Sequence, residues 1–300
     1  MMVTSMATSD ASSTPPDVAV VTVSYGSETV LAPFLDSVNA ATSRPVSVIV
    51  ADNRPNADTP VESITVGAGA TYLPLTSNLG YGGAINAAVE GLDVEIKWLL
   101  ISNPDVVLHP GAIDIMVDLA SQDDTVGAVG PAIFTAEGAI YPSARAVPSL
   151  RTGVGHALFA NIWTGNPWTR AYRNENGDST HSSIRDAGWL SGACLLVRRD
   201  AFEAIHGFDS GYFMYFEDVD LGYRLTKAGF RNVYDPNAAV THTGAHSTET
   251  DAAAMLQAHH DSARRFLSRK YSGAVLWPIR AVLGLGLSAR SVLMRRKNHH

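Results

Sequence analysis

The run Val18-Ala-Val-Val-Thr-Val-Ser24 constrains this chain more than any other stretch. It is almost continuously apolar, as a strand of a parallel sheet buried on both faces must be. A stretch with apolar residues at helical spacing follows from about Glu28 to Ala40, and then a second apolar run, Val46 to Ala51, ends in Asp52-Asn53. Strand, helix and strand in that order predict a right-handed parallel crossover, which brings Ser24-Tyr25 and Asp52-Asn53 to one edge of the sheet. The pattern recurs in a short strand at Thr71–Leu75 and in Trp98-Leu-Leu-Ile101. The last of these is stopped by Ser102-Asn103-Pro104-Asp105. Pro104 cannot donate to a ladder, so Asp105 is expected just beyond the carboxyl end of a central strand, where open α/β sheets bind their ligands. A carboxylate there, with the Asn103 carboxamide two residues earlier, suits a hard divalent cation that also touches phosphates; an Asn-Pro-Asp turn is the plainer reading.

Further along, Ser77-Asn78-Leu-Gly80-Tyr-Gly82-Gly-Ala-Ile-Asn86 reads as a glycine-rich turn entering a helix that ends near Gly91. Such a turn either starts a helix or lets backbone amides approach a diphosphate. It is a poor dinucleotide fingerprint, because it follows the third strand and Ile85 occupies the place of the last glycine. A helix from Pro110 to about Ala120, a strand over 126–134, a tight turn at Glu137-Gly138 and a strand through Trp189–Val197 are expected next. Residues 142–185 show no sustained periodicity but contain Arg, Trp and Tyr, which suggests a loop covering a substrate. A short helix over 200–205 precedes Tyr212-Phe-Met-Tyr-Phe-Glu217-Asp218-Val-Asp220, which opens a helix that Gly229 would cap. Acids favour a helix's first turn, and Asp220 pairs well with Arg224. Adjacent carboxylates beside aromatics are also how a base with a shifted pKa is built. His242 ends another strand and is either an inert surface imidazole or a neutral nitrogen for a cation.

Charge adds a boundary. The net charge is −7, yet nine of the 22 basic residues and none of the 29 acidic ones lie between Arg264 and Lys297. An acidic body with a basic tail argues against a nucleic-acid partner. Residues 1–16 lack a basic start and an apolar run, and read as a disordered leader. A helix is expected over 248–271, and the apolar, Arg-containing stretch 274–294 is broken by Pro278, Arg280 and Arg290, so it suits a helix lying in the interface of an anionic membrane surface. The single cysteine, Cys194, sits in a strand-like stretch and excludes an internal disulfide framework.

Taken in order, Val23-Ser24-Tyr25, Asp52-Asn53, Asn78-x-Gly-Tyr-Gly-Gly-x-x-Asn86, Asn103-Pro-Asp105-Val, Gly192-Ala, Gly207-Phe-Asp209, Glu217-Asp218-Val-Asp220 and His242 resemble the family 2 glycosyltransferases over 18–246. The resemblance implies a GT-A type α/β fold over 17–247, with a mostly parallel sheet flanked by helices. It implies that Ser24, Tyr25, Asp52, Asn53, Asn78, Gly80, Gly82 and Asn103 surround a nucleotide-sugar, that Asp105 and His242 ligate Mg²⁺ or Mn²⁺, and that Asp218 or Glu217 is the catalytic base. Where the family commonly carries Asp-x-Asp, this chain has Asn103-Pro-Asp105, one carboxylate fewer. That form is similar to the family's rhamnosyltransferases, which implies a dTDP-L-rhamnose donor, with UDP-galactofuranose as the rival. It also implies a polyprenyl-diphosphate-linked N-acetylglucosamine acceptor in cell-wall linker synthesis and a cytoplasmic, peripheral location on the membrane. A nucleotidyltransferase would instead carry Arg and Lys straight after the first strand, where this chain has Ser24-Tyr-Gly-Ser-Glu28. Self-association is left open.

Overall fold

The computed structural model describes residues 15–55, 60–148, 182–244 and 252–273. Along the chain these form β1 (Val18–Ser24), α1 (Glu28–Ala41), β2 (Val46–Asp52), α2 (Val61–Gly67), β3 (Thr71–Pro74), α3 (Gly80–Glu90), β4 (Trp98–Ser102), β5 (Val106–Leu108) and α4 (Ala112–Ser121). They continue with β6 (Val126–Thr135), β7 (Ile140–Tyr141), β8 (Ala144–Arg145), β9 (Arg185–Ala187), β10 (Trp189–Leu190), β11 (Cys194–Arg198), α5 (Arg199–Ala204), α6 (Glu217–Lys227), β12 (Arg231–His242) and α7 (Ala252–Lys270).

One large sheet runs in the order β3-β2-β1-β4-β11-β6-β12-β5. β3, β2, β1 and β4 are parallel, as their apolar runs require. Strand order reverses between β1 and β4, so the crevice beyond Ser24 and Ser102 is the topological switch point. β11 then inserts antiparallel between β4 and β6, and β12 pairs parallel with β6 and antiparallel with β5. Two apolar cores occupy the two faces. Phe34, Met116 and Ile113 lead one, on the side of α1 and α4; Ile85, Phe202 and Phe208 lead the other, beneath α3.

Several boundaries differ from expectation for identifiable reasons. The strand expected through Trp189–Val197 is divided at Gly192, whose amide is turned toward Asp218. α4 begins after Gly111, whose φ of +74° is the left-handed conformation glycine adopts freely, and not at Pro110. The stretch read as irregular over 142–185 contributes β8 and the first residue of β9; β8 is two residues long, too short to show a period. Residues 149–181 lie outside the described residues, as do the leader through 14, the tail from 274 and the first residues, 248–251, of the expected C-terminal helix.

α7 is bound to the body by charge and aromatic contact. Arg265 and Arg269 both pair with Asp209, and Arg269 also bonds the fully buried Asp220. The predicted Asp220–Arg224 pair forms at 2.5 Å. Phe266, fully buried, packs with Tyr212 and Val219.

Candidate active site

β12 returns alongside β5 with His242 opposite Val106, which sets His242 beside the residue that precedes β5. There His242 Nε2 lies 3.1 Å from Asp105 Oδ1 and 3.4 Å from Asn103 Nδ2. The Asp105 carbonyl accepts from the Thr243 amide and hydroxyl, each at 3.0 Å, which fixes the junction. A cation can be accommodated by such a pair: adjacent ligands of an octahedral Mg²⁺ site with bonds of about 2.0–2.1 Å are separated by roughly 3 Å. Carboxylate and neutral imidazole are both suitable donors. No cluster of three His, Cys, Asp or Glu able to hold a metal occurs among the described residues, so substrate phosphates and water would complete the sphere.

Beyond the ends of β1 and β2 opens a cavity of about 900 Å³. Tyr25, Asn53, Asn78 and Gly80 line it from the sheet side, and Phe213, Met214, Asp261 and Arg265 from the opposite side. Asn53 is held rigidly: its Nδ2 donates to the Gly80 carbonyl and its Oδ1 accepts from the Leu79 amide. Tyr25 is more than half exposed, with the Arg54 guanidinium 5.1 Å from its ring centre. Other residues expected around a nucleotide are placed differently. Asp52 is fully buried and accepts from the Tyr72 hydroxyl and the Arg54 amide, both at 3.0 Å. Burial, then that hydrogen bond to Asp52, pushes the Tyr72 phenol up to about 12. Ser24 is fully buried, and its Oγ has no partner among the described residues.

The glycines of the turn have packing reasons. A Cβ on Gly80, whose φ is +72°, would stand 2.4 Å from the Phe213 carbonyl oxygen, and one on Gly82 would stand 2.7 Å from Phe208 Cβ. Asn86 explains the motif spacing from the same helix: its Nδ2 donates to the Phe208 carbonyl while its Oδ1 accepts from the Phe208 amide. α3 is thereby clamped to the segment that leads to the acid pair.

Tyr81, between the two glycines, was not singled out by sequence reasoning, yet it ties the regions together. It lines the cavity, and its hydroxyl donates to the Gly192 carbonyl at 2.6 Å. The Gly192 amide in turn donates to Asp218 Oδ2 at 3.0 Å. Burial, then the charges of Glu217, Asp218 and Asp105, hold the Tyr81 phenol well above its ordinary value, so it stays a proton donor in this bond. A position flanked by glycines that let two chains approach it was the available signal.

Glu217 and Asp218 open α6 after two residues with left-handed backbone, Tyr215 (φ +67°) and Phe216 (φ +66°). Such backbone costs on the order of 1–3 kcal/mol per non-glycine residue and persists only where surroundings enforce it. Here His259 of α7 meets the rings of Tyr215 and Phe216 at 5.6 and 5.4 Å, and Phe266 lies 5.8 Å from Phe216. The two acids are differently supported. Asp218 accepts from the amides of Gly192 and Val219, bonds that favour its ionised form and oppose the upward push of burial. Glu217 Oε2 is buried with no hydrogen-bond partner among the described residues. Burial, then the neighbouring Asp218 charge, raises Glu217 to about 8. Burial raises the Asp218 carboxyl as well, but its amide bonds favour charge there and Glu217 Oε2 has none among the described residues, so a proton shared by the pair is better held on Glu217.

The fold that carries this Asp and His pair, the cavity at the switch point and the two acids of α6 is shared with known proteins. Among solved structures, a mannosyltransferase from Pyrobaculum calidifontis in complex with GDP-Man and Mn²⁺ superposes with a TM-score of 0.57 at 15% identity, covering 93% of this chain and 70% of that one. The crystal structure of GalNAc-T7 with UDP, GalNAc and Mn²⁺ gives 0.57 at 14% identity, covering 83% and 47%. These likenesses establish the GT-A fold. In sequence, the N-acetylglucosaminyl-diphospho-decaprenol L-rhamnosyltransferase of Mycobacterium tuberculosis is 46% identical over 288 residues, 93% of each chain. The rhamnosyltransferase WbbL of Escherichia coli is 40% identical over 82 residues, 27% of this chain and 31% of that one. The family model described as glycosyltransferase like family 2 matches residues 15–260, a span that contains Asp105, Glu217, Asp218 and His242, and the chain accordingly belongs to the family 2 glycosyltransferases.

Proposed function

We propose that this glycosyltransferase moves L-rhamnose from dTDP-L-rhamnose to an N-acetylglucosaminyl diphosphate carried on a polyprenol, with inversion at the anomeric carbon. The observation that supports this most is the 46% identity to an N-acetylglucosaminyl-diphospho-decaprenol L-rhamnosyltransferase, sustained over 93% of both chains. The donor's base and ribose occupy the cavity lined by Tyr25, Asn53 and Asn78. Asp105 and His242 would hold the Mg²⁺ or Mn²⁺, which when bound neutralises charge on the departing nucleoside diphosphate. Asp218 takes the proton of the acceptor hydroxyl as that oxygen attacks, because its two amide bonds favour its charged form and each carboxylate oxygen can accept beyond its one amide bond. Tyr81 and Gly192 fix its direction, so the base is positioned before substrate arrives.

No helix among the described residues is long and apolar enough to cross a membrane. The acceptor is lipid-linked, so the enzyme works as a cytoplasmic peripheral protein, with the basic stretch after α7 at an anionic leaflet. Co-sedimentation with anionic vesicles of the full chain and of one ending at Tyr271 tests this; equal pelleting would refute it. For the donor, isothermal titration should favour dTDP over UDP, and UDP binding about tenfold tighter would overturn the rhamnose assignment.

A further inference from the structure

We infer that Arg145 is an anion-binding residue that receives the diphosphate of the lipid-linked acceptor. This rests on the reading of the acceptor given above.

β8 and β10 form a separate two-stranded ribbon in which Arg145 is opposite Trp189. The Arg145 guanidinium carbon lies 5.2 Å from the Tyr141 ring centre and 5.5 Å from that of Trp189, so two aromatic side chains flank it. Its Nε donates to the Pro142 carbonyl at 2.6 Å. Among the described residues its two terminal nitrogens have neither a hydrogen-bond partner nor a carboxylate. Other arginines of the body are engaged differently: Arg224 and Arg269 pair with Asp220, Arg265 with Asp209 and Arg231 with Asp186. A guanidinium held through its Nε and two rings keeps a planar fork of N–H groups in one orientation, the geometry suited to bidentate contact with a phosphate. Arg54 over Tyr25 is the comparable cation on the donor side.

Position supplies the ligand's identity. From Trp189 the chain runs through Leu190 and Ser191, whose amide bonds the Ser143 carbonyl, to Gly192, whose amide holds Asp218. The fork is thus built into the same ribbon that aims the base, and its charge is felt at Asp218, where it favours the ionised form. An acceptor whose hydroxyl faces Asp218 carries its diphosphate at the other end of one sugar ring. The donor diphosphate belongs with Asp105 and His242, on β5 and β12, which leaves Arg145 for the second anion in the reaction.

The test compares two synthetic acceptors that differ only in linkage, an alkyl-diphospho-N-acetylglucosamine and the neutral alkyl glycoside, with dTDP-L-rhamnose and wild type, Arg145→Gln and Arg145→Met. The Met variant keeps a long side chain between the rings, so one variant remains if the other fails to fold. Loss of a charge-assisted bond to phosphate is expected to raise KM for the diphospho acceptor roughly 10- to 100-fold. KM for the neutral acceptor and for the donor should stay unchanged, abolishing the wild-type preference for the diphosphate. Folded variants that retain that preference would overturn the inference, and so would a change confined to donor KM. If wild type turns over neither acceptor, the rhamnosyl reading fails instead. Direct titration of the diphospho acceptor then still decides, because equal affinity of wild type and Arg145→Gln would rule out the anion site.

Discussion

Replacing Glu217 by Gln separates the two acids by a measurement that does not depend on knowing the substrate. The side chain keeps its shape, but a carboxyl raised from 4.5 to about 8 is replaced by a group that does not ionise. In the folded wild type Glu217 holds its proton throughout the interval in which the unfolded chain releases it. The folded state therefore binds more protons between pH 4.5 and about 8, and the stability from this group falls as pH rises through that window. At about 1.4 kcal/mol per pH unit the loss approaches 5 kcal/mol as a ceiling, and water reaching a half-buried carboxyl will reduce it to a few kcal/mol. Urea denaturation of both proteins at pH 4.5, 6, 7 and 8.5 supplies the readout. The variant should match wild type at the acid end and become progressively more stable than it toward pH 8.5. Curves that stay parallel across the whole range would show that Glu217 is not held protonated, and the division of roles within the pair would fall with it.

The remaining predictions concern the base, the cation pair and the turn. Asp218→Asn removes the proton acceptor but not the shape, so kcat should fall roughly 10²- to 10⁴-fold with donor affinity unchanged, as initial rates beside nucleotide titration will show. If turnover survives in this variant and is lost in Glu217→Gln, the role passes to Glu217. Asp105→Asn should weaken Mn²⁺ and nucleotide binding together, and titration of nucleotide with and without the metal should lose its metal dependence. Gly80→Ala forces a left-handed alanine against the Phe213 carbonyl and should cost about 2 to 5 kcal/mol in urea denaturation; a neutral result would mean that the turn can relax away from Phe213.

What the chain discloses by inspection is set by what depends on local pattern. β1, β2 and β4 are buried on both faces, so their composition alone identifies them and their order fixes the edge where Tyr25, Asn53 and Asn103 gather. The adjacency of Asp105 and His242 depends on β12 returning beside β5 after more than a hundred residues, which no local pattern encodes. Resemblance to a family supplied that pairing. Tyr81 and Arg145 stayed hidden for a related reason, since each acts through a partner distant in sequence: Tyr81 through Gly192 and Arg145 through Trp189. Gly80 and Gly82 show the reverse. Their presence was obvious, but the close approach of Phe213 and Phe208 that requires them was not.

The left-handed pair Tyr215-Phe216 gives α7 a part in the chemistry. The strain beside Glu217 and Asp218 has to be offset by contacts made after the strained residues are in place. Those contacts come from His259 and Phe266, both on α7, with the Ser262 hydroxyl bonded to the Met214 carbonyl at 2.8 Å. The same helix presents Asp261 and Arg265 to the cavity and anchors itself through Arg269 on Asp209 and Asp220. One helix thus borders the cavity proposed for the donor and fixes the backbone that carries the proposed base. A body cut before residue 252 would keep the sheet and both principal cores but lose what enforces the 215–216 conformation. On the proposed assignment, binding of nucleotide and orientation of the base depend on a segment that no catalytic motif includes.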